Sequence, residues 1–238
     1  RHATAAVVTV TEAIRRQYLA AGLAPAERIV ALPGGTDTEA YRPRPREPET
    51  YRRLGGGDGP LVGMIAGLRV MKGHRVVIDA AARLARMGHR PRFVFIGQGP
   101  LTEPVRDAIR GAGLEGQVGM VGWVDDLPTA MGALDLGLYA PLESDGMSRV
   151  VFEYLAAGRP LIASRVGVVP EALVDGEHAL LVPAGDAEAL AEALGHALAD
   201  PALRERLGRS GRRLVEERYS GERLAIALET LYERVLAA

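Results

Sequence analysis

Acidic side chains surround a glycine and the start of an apolar helix between residues 143 and 153. Asp145 and Glu153 are separated by about two helical turns, so an acid in a loop and an acid on the following helix can face one cleft. Gly146 permits a ligand to approach the backbone closely, and the free amides of a first helical turn donate to phosphate oxygens. This spacing favours a phosphate-binding site, and the alternative is an ordinary loop before a buried helix.

Two cations form a second cluster. Arg69 and Lys72 follow an apolar run at 61–67, which places them near the carboxyl end of a buried strand, where α/β proteins bind ligands. An arginine grips two phosphate oxygens as a planar fork, and a lysine adds a mobile point charge. The pair suits a diphosphate, although a solvated basic turn has the same composition.

The remaining motifs are weaker. Gly97 and Gly99 follow the apolar run at 92–97, but the full dinucleotide fingerprint is missing. Trp123 is the single tryptophan and is suited either to stacking on a base or to packing. The histidines have no metal-ligand spacing, so neither a metal nor another cofactor is predicted. Arginines alternate with glutamates on a helix over 204–217, which predicts a solvated face.

Composition permits an enzyme and disfavours other classes. The 238 residues are 47% hydrophobic with a net charge of −1, enough for one large or two small cores and without the basic excess that nucleic acid attracts. The absence of cysteine excludes disulfides and thiolate sites. No apolar run approaches the roughly 18 residues of a membrane span, so we expect a soluble protein.

Short apolar runs alternate with amphipathic stretches along the chain. Val77, Ala81 and Leu84 form one stripe of a helix predicted over 74–88, and Thr11 is suited to cap a helix that runs toward Gly22. Strands separated by helices imply a parallel sheet covered on both faces, which is the doubly wound, Rossmann-like α/β class. The predicted strands are 5–10, 29–32, 61–67, 92–97, 118–123, 136–140, 160–164 and 179–183.

The order of these pieces resembles retaining glycosyltransferase family 4, the glycosyl transferases group 1, whose GT-B fold has an acceptor half and a donor half. The resemblance is carried by the acid, glycine and second acid of 143–153, AAGRPLIAS at 156–164, VGVVPEALVDG at 166–176, and LLVPAGD at 180–186. Gly73 and His74 after Lys72 also match. The chain departs from the family pattern at Gly34, Asp145, Val168 and Ala179, where Asn, Glu, Gly and Gly are usual.

The resemblance implies transfer of a sugar, with retention, from a nucleotide-diphosphate sugar. Arg69 and Lys72 would then neutralise the diphosphate, Glu153 would hold the ribose, and Asp145 would orient the sugar or its phosphate. Glu143 is the alternative for the usual first acid. These three catalytic residues, Arg69, Lys72 and Asp145, are joined by implied donor contacts at Gly67, Gly97, Gly99, Val124, Glu143, Gly146, Met147, Ser148, Val150 and Glu153.

The same resemblance divides the chain. Residues 1–35 correspond to the end of an acceptor domain and a hinge, 36–219 to the donor-binding domain, and 220–238 to a helix that packs back toward the acceptor domain, which is itself missing. The implied partners are a nucleotide-sugar donor and an unknown sugar or lipid-linked acceptor, with no nucleic acid. The expected location is cytoplasmic, with association at the inner face of the membrane left open.

Two alternatives come from other classes. One is a module that binds a nucleotide sugar without transferring it. The other is a different enzyme on the same architecture, such as a nucleotide-sugar epimerase or a dinucleotide-dependent oxidoreductase. Thermal-shift experiments with UDP, GDP, ADP and NAD discriminate among these alternatives, because a nucleotide that binds the folded protein raises its melting temperature.

Overall fold

Parallel strands and covering helices alternate along the chain in the computed structural model, which describes residues 4–144 and 146–237. The strands are β1 Val7–Thr9, β2 Ile29–Ala31, β3 Leu61–Ile65, β4 Arg92–Ile96, β5 Val118–Val121, β6 Leu136–Tyr139, β7 Leu161–Ser164 and β8 Leu180–Val182. The helices are α1 Glu12–Ala20, α2 Pro48–Arg53, α3 His74–Arg86, α4 Thr102–Gly111, α5 Leu127–Gly132, α6 Arg149–Ala156, α7 Val169–Ala172, α8 Ala187–Ala199, α9 Pro201–Leu214 and α10 Gly221–Leu236. Each predicted strand is confirmed, and each is one to three residues shorter in total than predicted.

The main sheet has six parallel strands in the order β5-β4-β3-β6-β7-β8. The chain adds strands on one side of β3 and then returns to add β6 on the other side. Such a reversal opens a crevice at the carboxyl ends of the two central strands, where doubly wound proteins bind ligands. The predicted fold class is therefore confirmed, and β3 and β6 define the place to look for a site.

Helices cover both faces of this sheet and enclose two apolar cores. One core lies under α3, α4 and α8, and the other lies under α5, α6 and α7. The predicted stripe of α3 is confirmed, because Val77, Ala81 and Leu84 are each fully buried. Burial of both sheet faces explains why the strands read as continuous apolar runs rather than as alternating ones.

Residues upstream of the main sheet form a smaller unit. Strands β1 and β2 pair in parallel, and Thr11 caps α1 as predicted, since its hydroxyl accepts from the Ile14 amide at 3.1 Å. This unit meets the C-terminal region where Thr36 donates to the Tyr219 carbonyl at 2.8 Å and accepts from the Gly221 amide at 2.9 Å. The boundaries at 35/36 and 219/220 stay predictions, as does the partner of the last helix, α10.

One side chain connects α6 to the centre of the main sheet. The hydroxyl of Tyr154 accepts from the Ile65 amide and donates to the Gly63 carbonyl, both at 3.0 Å, and the ring is fully buried. Gly137 makes room for that ring, because a Cβ on it would lie 2.6 Å from a ring carbon. Helix α6 is thus fixed directly to β3.

We expect Tyr154→Phe to lower the free energy of unfolding by about 1 to 3 kcal/mol, the cost of leaving a buried amide without its acceptor. Urea denaturation followed by circular dichroism measures this. Tyr232→Phe is the matched control, because Tyr232 is 62% exposed on α10, and it should leave the midpoint unchanged. Equal stability of the two variants would contradict the role of the Tyr154 hydroxyl.

Candidate functional site

Four loops converge at the crevice defined by β3 and β6. The first follows β3 and carries Arg69 and Lys72, the second follows β4 and carries Gly97, the third follows β6 and carries the acidic residues, and the fourth joins β5 to α5. Parallel strands end at the same edge of a sheet. The main predicted clusters therefore come from neighbouring strand ends, as the sequence suggested.

The cationic loop lies against the end of β6. A 3₁₀ turn over Val70–Lys72 ends at Gly73, whose backbone is left-handed with φ of 74°. A Cβ at Gly73 would lie 1.9 Å from the Ala140 carbonyl oxygen, so a glycine is needed there. Arg69 is exposed, and no carboxylate of residues 4–144 or 146–237 forms an ion pair with it. Its guanidinium remains available to an anion.

The acidic loop runs directly into α6. Glu143 is exposed, and the Gly146 amide donates to the Ser144 hydroxyl at 3.3 Å, with a left-handed φ of 91° at Gly146. Asp145 lies outside the described residues, so its predicted role stays a prediction. Gly167 packs closely against this loop, since a Cβ on Gly167 would lie 3.0 Å from the Ser144 hydroxyl oxygen.

Ser148 marks the junction between this loop and α6. Its φ of 53° is the one positive value found at a non-glycine position among residues 4–144 and 146–237, and such a backbone costs free energy that the surrounding fold must offset. The Ser148 hydroxyl is hydrogen-bonded to the Tyr139 hydroxyl at the end of β6. Strained residues of this kind concentrate at ligand-binding sites.

Glu153 lies on α6, next to the tethered Tyr154. Its side chain is partly buried, and that burial raises the pKa of the carboxyl above its ordinary value, against the opposing effect of Arg149 one helical turn earlier. Tyr41, on the segment before α2, senses the same carboxylate: burial raises the pKa of its phenol first, and the charge of Glu153 adds to the increase. The two side chains therefore share one electrostatic environment.

A cavity of about 560 Å³ opens beside these residues. Its walls include three of the predicted donor contacts, Gly67, Gly97 and Val124. Trp123 also lines it and is 76% exposed, with its ring N–H donating to Asp125 at 3.0 Å. Trp123 is thus free of the core and open to a ligand.

Some of the predicted contacts lie elsewhere. Gly99 does not line the cavity and instead supports the cationic loop, because a Cβ there would lie 2.4 Å from the Leu68 carbonyl oxygen. The Met147 sulfur accepts from the Gly34 amide at 2.9 Å, which places it against the hinge. Val150 packs against the apolar core under α6. Direct donor contacts by these three residues stay predictions.

Sequence reasoning missed Tyr41, although it lines the cavity. It lies in a stretch of Gly, Thr and charged residues between β2 and α2, where neither strand nor helix periodicity marks an inward side chain. The family resemblance covers that stretch, and the aromatic residue in it was the available signal.

A histidine is buried behind the cationic loop. His74 is 3% exposed, contacts the Phe95 ring edge-on at a centroid distance of 5.1 Å, and has no hydrogen-bond partner for either ring nitrogen in the described structure. Burial first, and the nearby charge of Lys72 second, together lower the pKa of His74 to about 4. The imidazole is therefore neutral at ordinary pH.

Within residues 4–144 and 146–237, no group of three or more His, Asp or Glu side chains is arranged to hold a metal ion. No helix in those ranges has the length and apolar character needed to cross a bilayer.

Comparison with known proteins gives concordant matches. The profile of the family glycosyl transferases group 1 matches residues 51–214. Alpha-D-kanosaminyltransferase of Streptomyces kanamyceticus is 30% identical, with 99% of this chain covering 62% of that protein. GDP-mannose-dependent alpha-(1-6)-phosphatidylinositol monomannoside mannosyltransferase of Mycolicibacterium smegmatis is 29% identical, with 87% of this chain covering 56% of it.

A solved structure shows the same fold. The crystal structure of Alr3699/HepE from Anabaena in complex with UDP superposes with a TM-score of 0.86 at 22% identity, over 96% of this chain and 64% of that one. The chain thus spans less than two thirds of the length of each of these three proteins.

The buried histidine makes stability depend on pH. Its folded-state pKa of about 4 lies below the unfolded value near 6.5. The unfolded chain therefore binds more protons between these values, and we expect acidification to lower the free energy of unfolding by about 1.4 kcal/mol per pH unit in that window. His74→Leu should lack this part of the slope. Urea denaturation from pH 4.5 to 7.5 compares the two proteins, and parallel pH profiles would contradict the prediction.

Proposed function

Because the chain belongs to the glycosyl transferases group 1 family, as its sequence pattern predicts, we propose that it supplies the donor-binding half of a retaining glycosyltransferase. The observation that carries the proposal is the meeting of the cationic loop, the strained start of α6 and an apolar cavity at the switch point between β3 and β6. A nucleotide-diphosphate sugar has the matching parts: a base, a ribose, two phosphates and a polar sugar.

The nucleoside end of the donor fits the cavity. A base can stack on the exposed Trp123 ring and be contacted by the backbone near Val124, while Gly67 and Gly97 keep the cavity floor free of side chains. Glu153 lies on α6, and its charge acts on Tyr41 of the cavity wall; in this proposal its carboxylate accepts hydrogen bonds from the ribose hydroxyls. Burial of the carboxylate strengthens such bonds, because competing water is excluded.

The diphosphate lies, in this proposal, between Arg69, Lys72 and the start of α6. Transfer breaks the bond between the anomeric carbon and a phosphate oxygen, and the electron pair stays on the leaving diphosphate. Cations and helix amides that are already in position stabilise this negative charge as it grows. With retention, an acceptor hydroxyl attacks from the same face and passes its proton to the leaving phosphate. Asp145 or Glu143 orients the sugar for this attack.

These contacts are compatible with several donor bases and sugars. The relatives named above act with different sugars, and the contacts expected near Val124 involve backbone groups that many bases share. A second candidate function for this chain on its own is donor binding without transfer, because the chain covers 62% of the length of the kanosaminyltransferase named above. The epimerase and oxidoreductase alternatives receive no support from family membership. A cytoplasmic location, an acceptor and contact with the inner face of a membrane stay predictions.

We expect Glu153→Ala to weaken nucleotide binding by about 1 to 3 kcal/mol, the range for a lost hydrogen bond to a charged group. Calorimetry with the best ligand of the UDP, GDP, ADP and NAD panel measures the change. Glu192→Ala is the control, since Glu192 is exposed on α8. Unchanged affinity in the Glu153 variant would remove its ribose-binding role.

The cationic loop predicts a preference for diphosphates. A nucleoside diphosphate should bind more tightly than its nucleoside, and the gap should shrink as salt rises, because exposed charges are screened. Arg69→Met should narrow the gap at low salt, whereas Arg75→Met, which removes an exposed arginine paired with Asp79 on α3, should not. If the Arg69 variant keeps the full preference, the diphosphate does not contact Arg69.

A further inference from the structure

A single guanidinium joins two separate segments behind the cavity. On α9, Nη1 of Arg212 donates to the carbonyl oxygens of Thr38 and Tyr41 at 2.9 Å each and of Ala156 at 2.7 Å. The other side of the guanidinium pairs with Glu216 at 2.7 Å. The Arg212 side chain is 16% exposed, so these bonds are largely sheltered from water.

Arg209, about one turn earlier on the helix, behaves differently. It is 71% exposed and pairs with Glu205 on the same helix, as a solvated face predicts. The sequence interpretation of this helix is therefore correct at Arg209 and wrong at Arg212. The difference arises because Arg212 faces the end of α6, where three carbonyl oxygens from distant parts of the chain meet.

The two segments that Arg212 joins carry the nucleoside end of the site. Ala156 ends α6, one turn after Glu153. The other segment is a turn in which the Asp37 carboxylate accepts from the Glu39 and Ala40 amides and the Asp37 carbonyl accepts from the Tyr41 amide. Tyr41 then extends into the cavity wall. The guanidinium thus sets where Tyr41 lies relative to Glu153.

We propose that Arg212 is a positioning residue for the donor nucleoside: it holds the Tyr41 turn against the end of α6 so that Tyr41 and Glu153 face the same ribose and base. This inference rests on the proposed donor-binding function. It assigns Tyr41 a direct contact with the nucleoside and assigns Arg212 no contact with the ligand. Removal of Arg212 should therefore act on nucleotide affinity only through Tyr41.

A double-mutant cycle tests that route. Calorimetry with the nucleoside diphosphate selected by the thermal-shift panel compares wild type, Arg212→Met, Tyr41→Ala and the double variant. We expect each single change to weaken binding by about three- to tenfold, and the double variant to bind no more weakly than Tyr41→Ala, because residues in one network are not additive. Arg212→Lys should recover part of the affinity, since an ammonium group reaches carbonyl oxygens without the fork geometry.

Two controls separate positioning from a general loss of structure. Arg209→Met removes an exposed arginine from the same helix and should leave affinity unchanged. Inorganic pyrophosphate, measured by competition, should bind equally to wild type and Arg212→Met, because its proposed site is the cationic loop. Circular dichroism and melting temperature report folding; if Arg212→Met does not fold, the cycle is completed with Arg212→Lys.

The outcomes are distinct. Full additivity of the two substitutions, unchanged nucleotide affinity in a folded Arg212 variant, or an equal loss for pyrophosphate would each overturn the positioning role. If wild-type protein binds none of the nucleotides, the proposed donor-binding function itself fails. Tight binding by wild type with no effect of Arg212 leaves donor binding intact and removes only this inference.

Discussion

The phenol of Tyr154 is the contact on which the geometry of the site depends. Its hydroxyl satisfies the Ile65 amide and the Gly63 carbonyl from a fully buried position, so α6 cannot slide along the sheet without leaving buried polar groups unpaired. Glu153 is the preceding residue, and the acidic loop ends where α6 begins. Tyr154 therefore fixes Glu153, the candidate ribose-binding residue, and the start of α6 relative to β3, the strand that leads into the cationic loop.

Close backbone approaches complete this arrangement. Gly73 lies against the Ala140 carbonyl, and Gly97 lies against the Ala66 carbonyl, where an added Cβ would be 2.1 Å from the oxygen. These contacts bring the loops after β3, β4 and β6 together without intervening side chains. The glycines therefore act mainly by letting the loops pack on one another. The cavity lies beside these packed loops. Gly97 both packs against a neighbouring loop and lines the cavity, whereas at Gly99 only packing is observed.

The sequence predicted what depends on local pattern. Apolar runs identified the strands, and residues that follow neighbouring parallel strands were expected at one edge, which is where Arg69, Gly97 and Glu153 lie. Contacts made by single side chains across the fold left no such pattern. Tyr41 and Arg212 belong to this second kind, because nothing within α9 distinguishes an arginine that meets three distant carbonyls from one that meets solvent. The backbone strain at Ser148 was equally invisible, since serine ordinarily precedes a helix without it.

The small upstream unit is attached to the candidate site at more than one point. The Glu171 carboxylate, on α7, accepts from the Glu12 and Ala13 amides at 2.9 and 2.7 Å and so caps α1, as carboxylates do at helix N-termini. Helix α7 follows the loop that braces Ser144. On the other side, Thr36 is bonded to the chain at Tyr219 and Gly221, and the turn that follows it is held by Arg212. A displacement of the β1–β2 unit therefore strains both the acidic loop and the Tyr41 turn, which makes the position of that unit part of the candidate site's geometry.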